Sequence, residues 1–181
     1  SNKELGTAVI TGASSGIGAI YADRLAKRGY NLILVARSRD RLNALAKRIS
    51  DETGQSVEVI AADLANPADL HAVEDALRQD ASITLLVNNA GVGTHTPLLD
   101  SDIEQMDNMI ALNVTALTRL TYAVAPGLAK RGQGAIINIS SIVSILFLNS
   151  SVTACADVRS RITLGVINTN SSVLLTASEV C

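Results

Sequence analysis

Thr7-Ala8-Val9-Ile10-Thr11-Gly12-Ala13-Ser14-Ser15-Gly16-Ile17-Gly18 is the stretch that decides the fold. A short apolar run ends in Thr11 and Gly12, and two further glycines, Gly16 and Gly18, lead into a helix-like pattern. A strand that turns through glycines into a helix leaves the first backbone N–H groups of that helix free, a ready site for a phosphate or diphosphate. The glycines have separate tasks: one makes the turn, one admits the ligand to the backbone, and one lets helix and strand pack closely. The spacing is not the usual G-x-G-x-x-G fingerprint. No Gly-Lys-Ser/Thr follows either, which argues against a P-loop and against ATP or GTP hydrolysis.

The bulk composition bounds the rest. The chain has 181 residues, 48% hydrophobic and 18% charged, with a formal net charge of -2. Such a chain is long enough for one domain with a real core. Its charge balance carries no footprint for nucleic acid and no polybasic face for a membrane. The sequence contains no apolar run of membrane-spanning length and no signal peptide at its start, so the cytoplasm is the expected compartment. Cys155 and Cys181 have no metal or redox spacing, and no His/Cys/Asp cluster suits a metal. His71 is expected on a solvated helix face, and His95 in a loop beside the site.

Strand-like and helix-like patterns alternate along the first 140 residues. Strands are expected at 7–11, 31–36, 57–61, 84–87 and 135–139, each a continuous run of Val, Ile, Leu or Ala of the kind covered on both faces in a parallel sheet. Helices are expected at 17–28, 39–52, 67–79 and in one long segment from about 102 to 130. Asn66-Pro67 reads as an N-cap with proline at the first helical position. This order predicts an α/β, doubly wound parallel sheet of the Rossmann fold. The expected strand order is 3-2-1-4-5, with a crevice between strands one and four. Residues 1–181 read as a single domain, in which 145–181 form an atypical tail poor in charge. A sixth strand is expected from Arg161 and a short one at 172–177.

Arg37 directly follows the second strand, where an acidic residue would bind a ribose 2′-hydroxyl. A guanidinium suits a 2′-phosphate instead, which favours NADP over NAD; Arg39, Arg41 and Ser14 are candidates to assist. Asn113 lies mid-helix in Ala-Leu-Asn-Val, a poor place for asparagine. Asn88-Asn89-Ala90-Gly91 closes the fourth strand and Asn138-Ile139-Ser140-Ser141 the fifth. With Thr11-Gly-x-x-x-Gly16-x-Gly18, these motifs resemble the short-chain dehydrogenase/reductase family over residues 5–144.

The resemblance implies hydride transfer between NADP(H) and a small carbonyl or alcohol substrate. It implies cofactor contacts at Gly12, Ser14, Ser15, Gly16, Ile17, Gly18, Arg37, Asp63, Leu64, Asn89, Ala90 and Gly91. By the same resemblance Asp63 and Leu64 meet the adenine edge, Ser141 holds the substrate oxygen, and Asn113 disturbs its helix and holds a water in a proton relay. It further implies a homo-oligomer paired through the long helix, with Ile103, Met106, Ile110, Leu117 and Leu120 as contacts, although these side chains equally suit packing against the sheet.

The tail departs from the family. Its proton-exchanging tyrosine, followed four residues later by lysine, should fall near Ala154 and Val158. The sequence has no tyrosine after Tyr122 and no lysine after Lys130. Loss of such an acid/base lowers rates by roughly 10²–10⁴. Three explanations stand. In the first, the sequence lacks residues that the parent protein has, so that 151–156 is the edge of a lost Tyr-x-x-x-Lys helix and the strand from Arg161 arrives too soon after Ser141 for a full crossover. In the second, the chain is altered after about Ser144 by truncation or a shifted reading frame. In the third, the protein is a non-catalytic NADP-binding or interaction module.

Overall fold

The computed structural model describes residues 5–93, 100–141, 150–157 and 161–168. Seven strands form one sheet in the order β3-β2-β1-β4-β5-β6-β7. The first five are β1 (Thr7–Thr11), β2 (Asn31–Ala36), β3 (Val57–Ala61), β4 (Ile83–Asn88) and β5 (Ala135–Ser141), all mutually parallel. The expected order 3-2-1-4-5 is therefore found. The connections are α1 (Gly16–Lys27), α2 (Arg39–Thr53) and α3 (Pro67–Gln79), then α4 (Ile103–Ile110), a π-helical turn (Ala111–Ala116) and α5 (Leu117–Arg131).

The continuous apolar runs are buried on both faces, as a parallel sheet requires. Ala8, Ile10, Leu34 and Val87 join α1 and α2 on one side, while Val9, Ile33, Val35 and Leu86 join α3 and α5 on the other. Each fully buried Val, Leu or Ile contributes about 1.5–3 kcal/mol. Local chemistry sets the helix ends. The Asn66 carboxamide accepts from the N–H groups of Ala68 and Asp69 at 2.9 and 3.2 Å, with Pro67 beginning α3. Gly54 and Gly132 end α2 and α5 in the left-handed region, at φ 74° and 62°.

One expectation is refined and one is corrected. The long helix is not uniform, because a π-helical turn interrupts it at Ala111–Ala116. The segment 151–156 is no helix edge: β6 (Ser150–Asp157) pairs antiparallel with β5, and β7 (Arg161–Asn168) pairs antiparallel with β6. A further parallel strand needs a crossover of roughly a dozen residues or more, and the chain between Ser141 and Ser150 is shorter than that. Val152 and Thr153 also favour an extended backbone. The strand expected from Arg161 is present as β7, and the one expected at 172–177 lies outside the described residues.

Candidate functional site

The sheet reverses direction of winding between β1 and β4, and a cleft of about 430 Å³ opens there at the carboxyl ends of the strands. Four strand ends supply its lining. After β1 come Gly12, Ser14, Ser15 and Ile17, and after β2 come Arg37, Ser38 and Arg41. Ala62, Asp63 and Leu64 follow β3, while Asn89, Ala90, Gly91 and Val92 follow β4; Leu112 of the π-helical turn closes one side.

The glycine turn is built for close approach. Gly12 has φ +65°, and a Cβ there would stand 2.9 Å from both Ala90 Cα and Asn89 Nδ2. A Cβ on Gly18 would strike the Gly12 carbonyl oxygen, so α1 packs directly on the turn. Gly16 has φ +55° with open space around it. Its conformation, not crowding, demands glycine there.

Thr11 and Asn89 stitch the two sides of the cleft together. The buried Thr11 hydroxyl accepts from the N–H groups of Asn89 and Ala90, both at 2.9 Å, and donates to the Val87 carbonyl at 3.4 Å. In return, Asn89 Nδ2 donates to the carbonyls of Thr11 and Gly12 at 2.9 and 3.2 Å. Asn88 works one layer behind, donating to Thr121 Oγ1 at 3.0 Å and to Asn138 Oδ1 at 2.9 Å. It ties β4 to α5 and to β5.

At the β2 end, Arg37 is exposed and Arg41 lies in the first turn of α2. Neither is in an ion pair among the described residues. Ser38, the N-cap of α2, makes no side-chain capping bond. Two guanidinium groups and a helix N-terminus therefore converge on one mouth of the cleft, which suits a phosphate.

At the β3 end, one carboxylate oxygen of Asp63 accepts from the Ala65 N–H at 3.1 Å. Leu64 is buried, and its N–H has no backbone partner among the described residues. A carboxylate oxygen beside an N–H matches the donor–acceptor edge of adenine.

Asn113 occupies the π-helical turn, where it donates to the Val92 carbonyl at 2.7 Å and accepts from the Val92 N–H at 2.9 Å. Its carboxamide thus braces the loop after β4. Ser141 ends β5, past the last β4–β5 pair at Asn88 and Asn138, and its side chain lies outside the described residues. His95 also lies outside them, and His71 is exposed on α3.

Sequence reasoning missed Thr11 as the stitch, and it missed Ser38, Ala62, Val92 and Leu112 as lining residues. Position after a strand end was the available signal for Ser38, Ala62 and Val92. Nothing in the sequence marked the approach of Leu112. No group of His, Cys, Asp and Glu with metal-binding geometry occurs among the described residues, and no described helix is long and apolar enough to cross a membrane.

The four strand ends fit a dinucleotide lying across the switch point, and comparison with known proteins agrees with that architecture. A very-long-chain 3-oxoacyl-CoA reductase of Anas platyrhynchos is 36% identical over 163 residues, which are 85% of this chain and 52% of that protein. This chain therefore spans about half the length of that relative. The bulky-bulky ketone specific alcohol dehydrogenase of Comamonas testosteroni superposes with a TM-score of 0.76 at 49% identity, over 78% of this chain and 57% of that one. A short-chain dehydrogenase of Sphingobium yanoikuyae, solved in complex with NADPH, superposes at 0.75 with 54% identity, over 76% and 54% of the two chains. The family model for short chain dehydrogenases matches residues 6–154, so this chain belongs to the short-chain dehydrogenase family.

Proposed function

We propose that this chain binds NADP(H) and supplies the cofactor half of an oxidoreductase acting on a carbonyl or alcohol substrate. The observation that carries the proposal is the convergence of Arg37 and Arg41 on the same cleft as the glycine turn and Asp63. Gly12, Ser14, Ser15, Gly16, Ile17 and Gly18 form the diphosphate cradle in this reading, which uses the free N–H groups at the start of α1. Arg37 takes the 2′-phosphate with help from Arg41 and Ser14, and the preference for NADP over NAD follows. Asp63 and Leu64 read the adenine edge. Asn89, Ala90 and Gly91 leave room for the nicotinamide half.

A bound nicotinamide cofactor supplies or accepts the hydride. Ser141 holds the substrate oxygen at the end of β5. Asn113 contributes by fixing the loop at Val92, next to the place where that substrate would stand. The family name of the Comamonas testosteroni neighbour, a ketone-specific alcohol dehydrogenase, supports a carbonyl/alcohol pair as substrate class. Self-association through α4 and the π-helical turn accompanies this reading, since Ile103, Ile110 and Val114 are 65%, 53% and 56% exposed. Leu120 is buried against the sheet and is not part of that surface. A cytoplasmic location completes it.

The second reading is a cofactor-binding module without turnover. It is favoured by a sequence with no tyrosine after Tyr122 and no lysine after Lys130. Titration with NADPH and NADH, followed by dihydronicotinamide fluorescence, tests the part common to both readings. Saturable binding of NADPH, tighter than that of NADH, is expected. Folded protein that binds neither would end the proposal, and turnover on a panel of ketones separates the two readings.

A further inference from the structure

The turn between β3 and α3 is held at more points than a connection of its length requires. The Asp63 carbonyl accepts from the Asn66 N–H at 2.9 Å, and its carboxylate Oδ1 accepts from the Ala65 N–H at 3.1 Å. The Asp63 N–H is taken by a side chain six residues on: it donates to Asp69 Oδ2 at 2.8 Å. Asp69 is itself fixed, because its own N–H donates to the Asn66 cap. Asp63 is thus clamped at its N–H, its carbonyl and one carboxylate oxygen. What remains free to meet a ligand is the second carboxylate oxygen, beside the Leu64 N–H.

We propose that Asp69 is a positioning residue, which aims the Asp63 carboxylate at the exocyclic amine of a bound adenine. The proposal rests on the reading above in which Asp63 and Leu64 meet the adenine edge. Asp69 is not among the described residues that line the cleft. It acts by fixing the peptide from which the Asp63 side chain departs. An ordinary acidic residue in the first turn would favour α3 through its charge alone. That role needs a negative charge and no particular acceptor, whereas the bond to the Asp63 N–H needs an acceptor and no charge. Asn supplies the second without the first.

The test compares binding of NADPH with that of its hypoxanthine analogue, in which a carbonyl replaces the exocyclic amine. Affinities for the 181-residue protein are read by dihydronicotinamide fluorescence. A carboxylate that accepts from the amine should favour NADPH by roughly tenfold or more. Asp69→Ala is expected to reduce that preference to about threefold or less by weakening NADPH alone, on the scale of one misdirected charge-assisted bond. Asp69→Asn is expected to restore it. An Asp69→Ala protein that keeps the full preference, or loses both ligands equally, overturns the proposal, as does failure of Asp69→Asn to restore. Asp63→Ala identifies the level of any failure. Should it leave the preference intact, the adenine assignment falls and Asp69 with it. Should it abolish the preference while Asp69→Ala does not, only the role of Asp69 falls.

Discussion

Replacing Thr11 by Val keeps the side chain's shape and removes one hydroxyl. That hydroxyl serves two N–H groups at 2.9 Å and one carbonyl at 3.4 Å, all on the far side of the β1–β4 crevice. The Asn89 and Ala90 residues are only half-buried, so each orphaned N–H is placed at the lower part of the 1–3 kcal/mol range, giving a loss of about 2–4 kcal/mol together. The long Val87 contact adds little. For a chain of this size, that loss corresponds to a fall in melting temperature of roughly 4–16 °C. Thr11→Ser retains the hydroxyl and deletes one buried methyl, so it should cost about 1 kcal/mol. The difference between Val and Ser isolates the hydrogen bonds from the packing. Because Asn89 and Ala90 line the cleft, Thr11→Val should also weaken NADPH binding, whereas Thr11→Ser should not. Thermal unfolding followed by circular dichroism and a fluorescence titration measure both effects. A Val variant as stable as the Ser variant, with unchanged cofactor affinity, would refute the view that this hydroxyl organises the site.

The remaining predictions concern single contacts. Arg37→Ala should weaken NADPH by roughly 10–150-fold, the equivalent of one charge-assisted bond of 1.5–3 kcal/mol, and leave NADH unchanged; parallel titrations check this. Asn113→Ala removes both bonds to Val92, so it should raise the amide exchange rate at Val92 and lower cofactor affinity with little change in the core; hydrogen exchange and titration report the two. Asp23 is held below the usual carboxylate range, first by its hydrogen bond from Lys27 and then by that from Arg48. A depressed carboxyl stabilises the fold above its unfolded pKa of about 3.9, and that contribution is lost as pH falls through the lower folded value. Asp23→Asn should therefore cost under about 1 kcal/mol at pH 7, as exposed pairs do, and the gap to wild type should close in acid; urea unfolding across pH 2–7 measures it.

The parts of the fold legible in sequence are those set by local pattern. Unbroken runs such as Leu32–Ala36 and Leu85–Val87 can be satisfied only between two helical layers, and the alternation with helices leaves few possible strand orders. The cleft was equally legible where a residue type stands within two positions of a strand end, as Arg37, Asp63 and Asn89 do. Tertiary partnerships were not. The Val92–Asn113 brace joins distant segments, and no property of either residue names the other. The long helix misled for a geometric reason. A π-helical turn inserts an extra residue and rotates the following face, so a stripe read at 3.6 residues from Ile103 to Leu120 crosses from solvent to core. At 151–156 the short connection was legible, but the resemblance turned it into a lost helix, whereas β-branched Val152 and Thr153 pair antiparallel with β5 and need no crossover.

Binding and proton transfer draw on different parts of this chain. Among the described residues, those lining the cleft lie between Gly12 and Leu112, ahead of β5 and its antiparallel neighbours. Among those residues, the titratable groups are Arg37, Arg41 and Asp63. A guanidinium is no proton donor for a reacting oxygen, and in the proposed pose the Asp63 carboxylate faces adenine, at the far end of the cofactor from the nicotinamide. The three tyrosines offer no substitute: Tyr21 lies on α1, Tyr30 precedes β2, and Tyr122 is 77% exposed on α5. Serine and asparagine orient a substrate oxygen but exchange no proton near neutral pH. Among the described cleft residues, the terms that favour the cofactor therefore come without a partner for the proton that must accompany hydride. NADPH should saturate this protein while its oxidation by ketones runs roughly 10²–10⁴ below that of family members with the Tyr-x-x-x-Lys pair. Turnover at full family rates, with a pH profile set by a group near neutrality, would require a proton donor from outside residues 12–112.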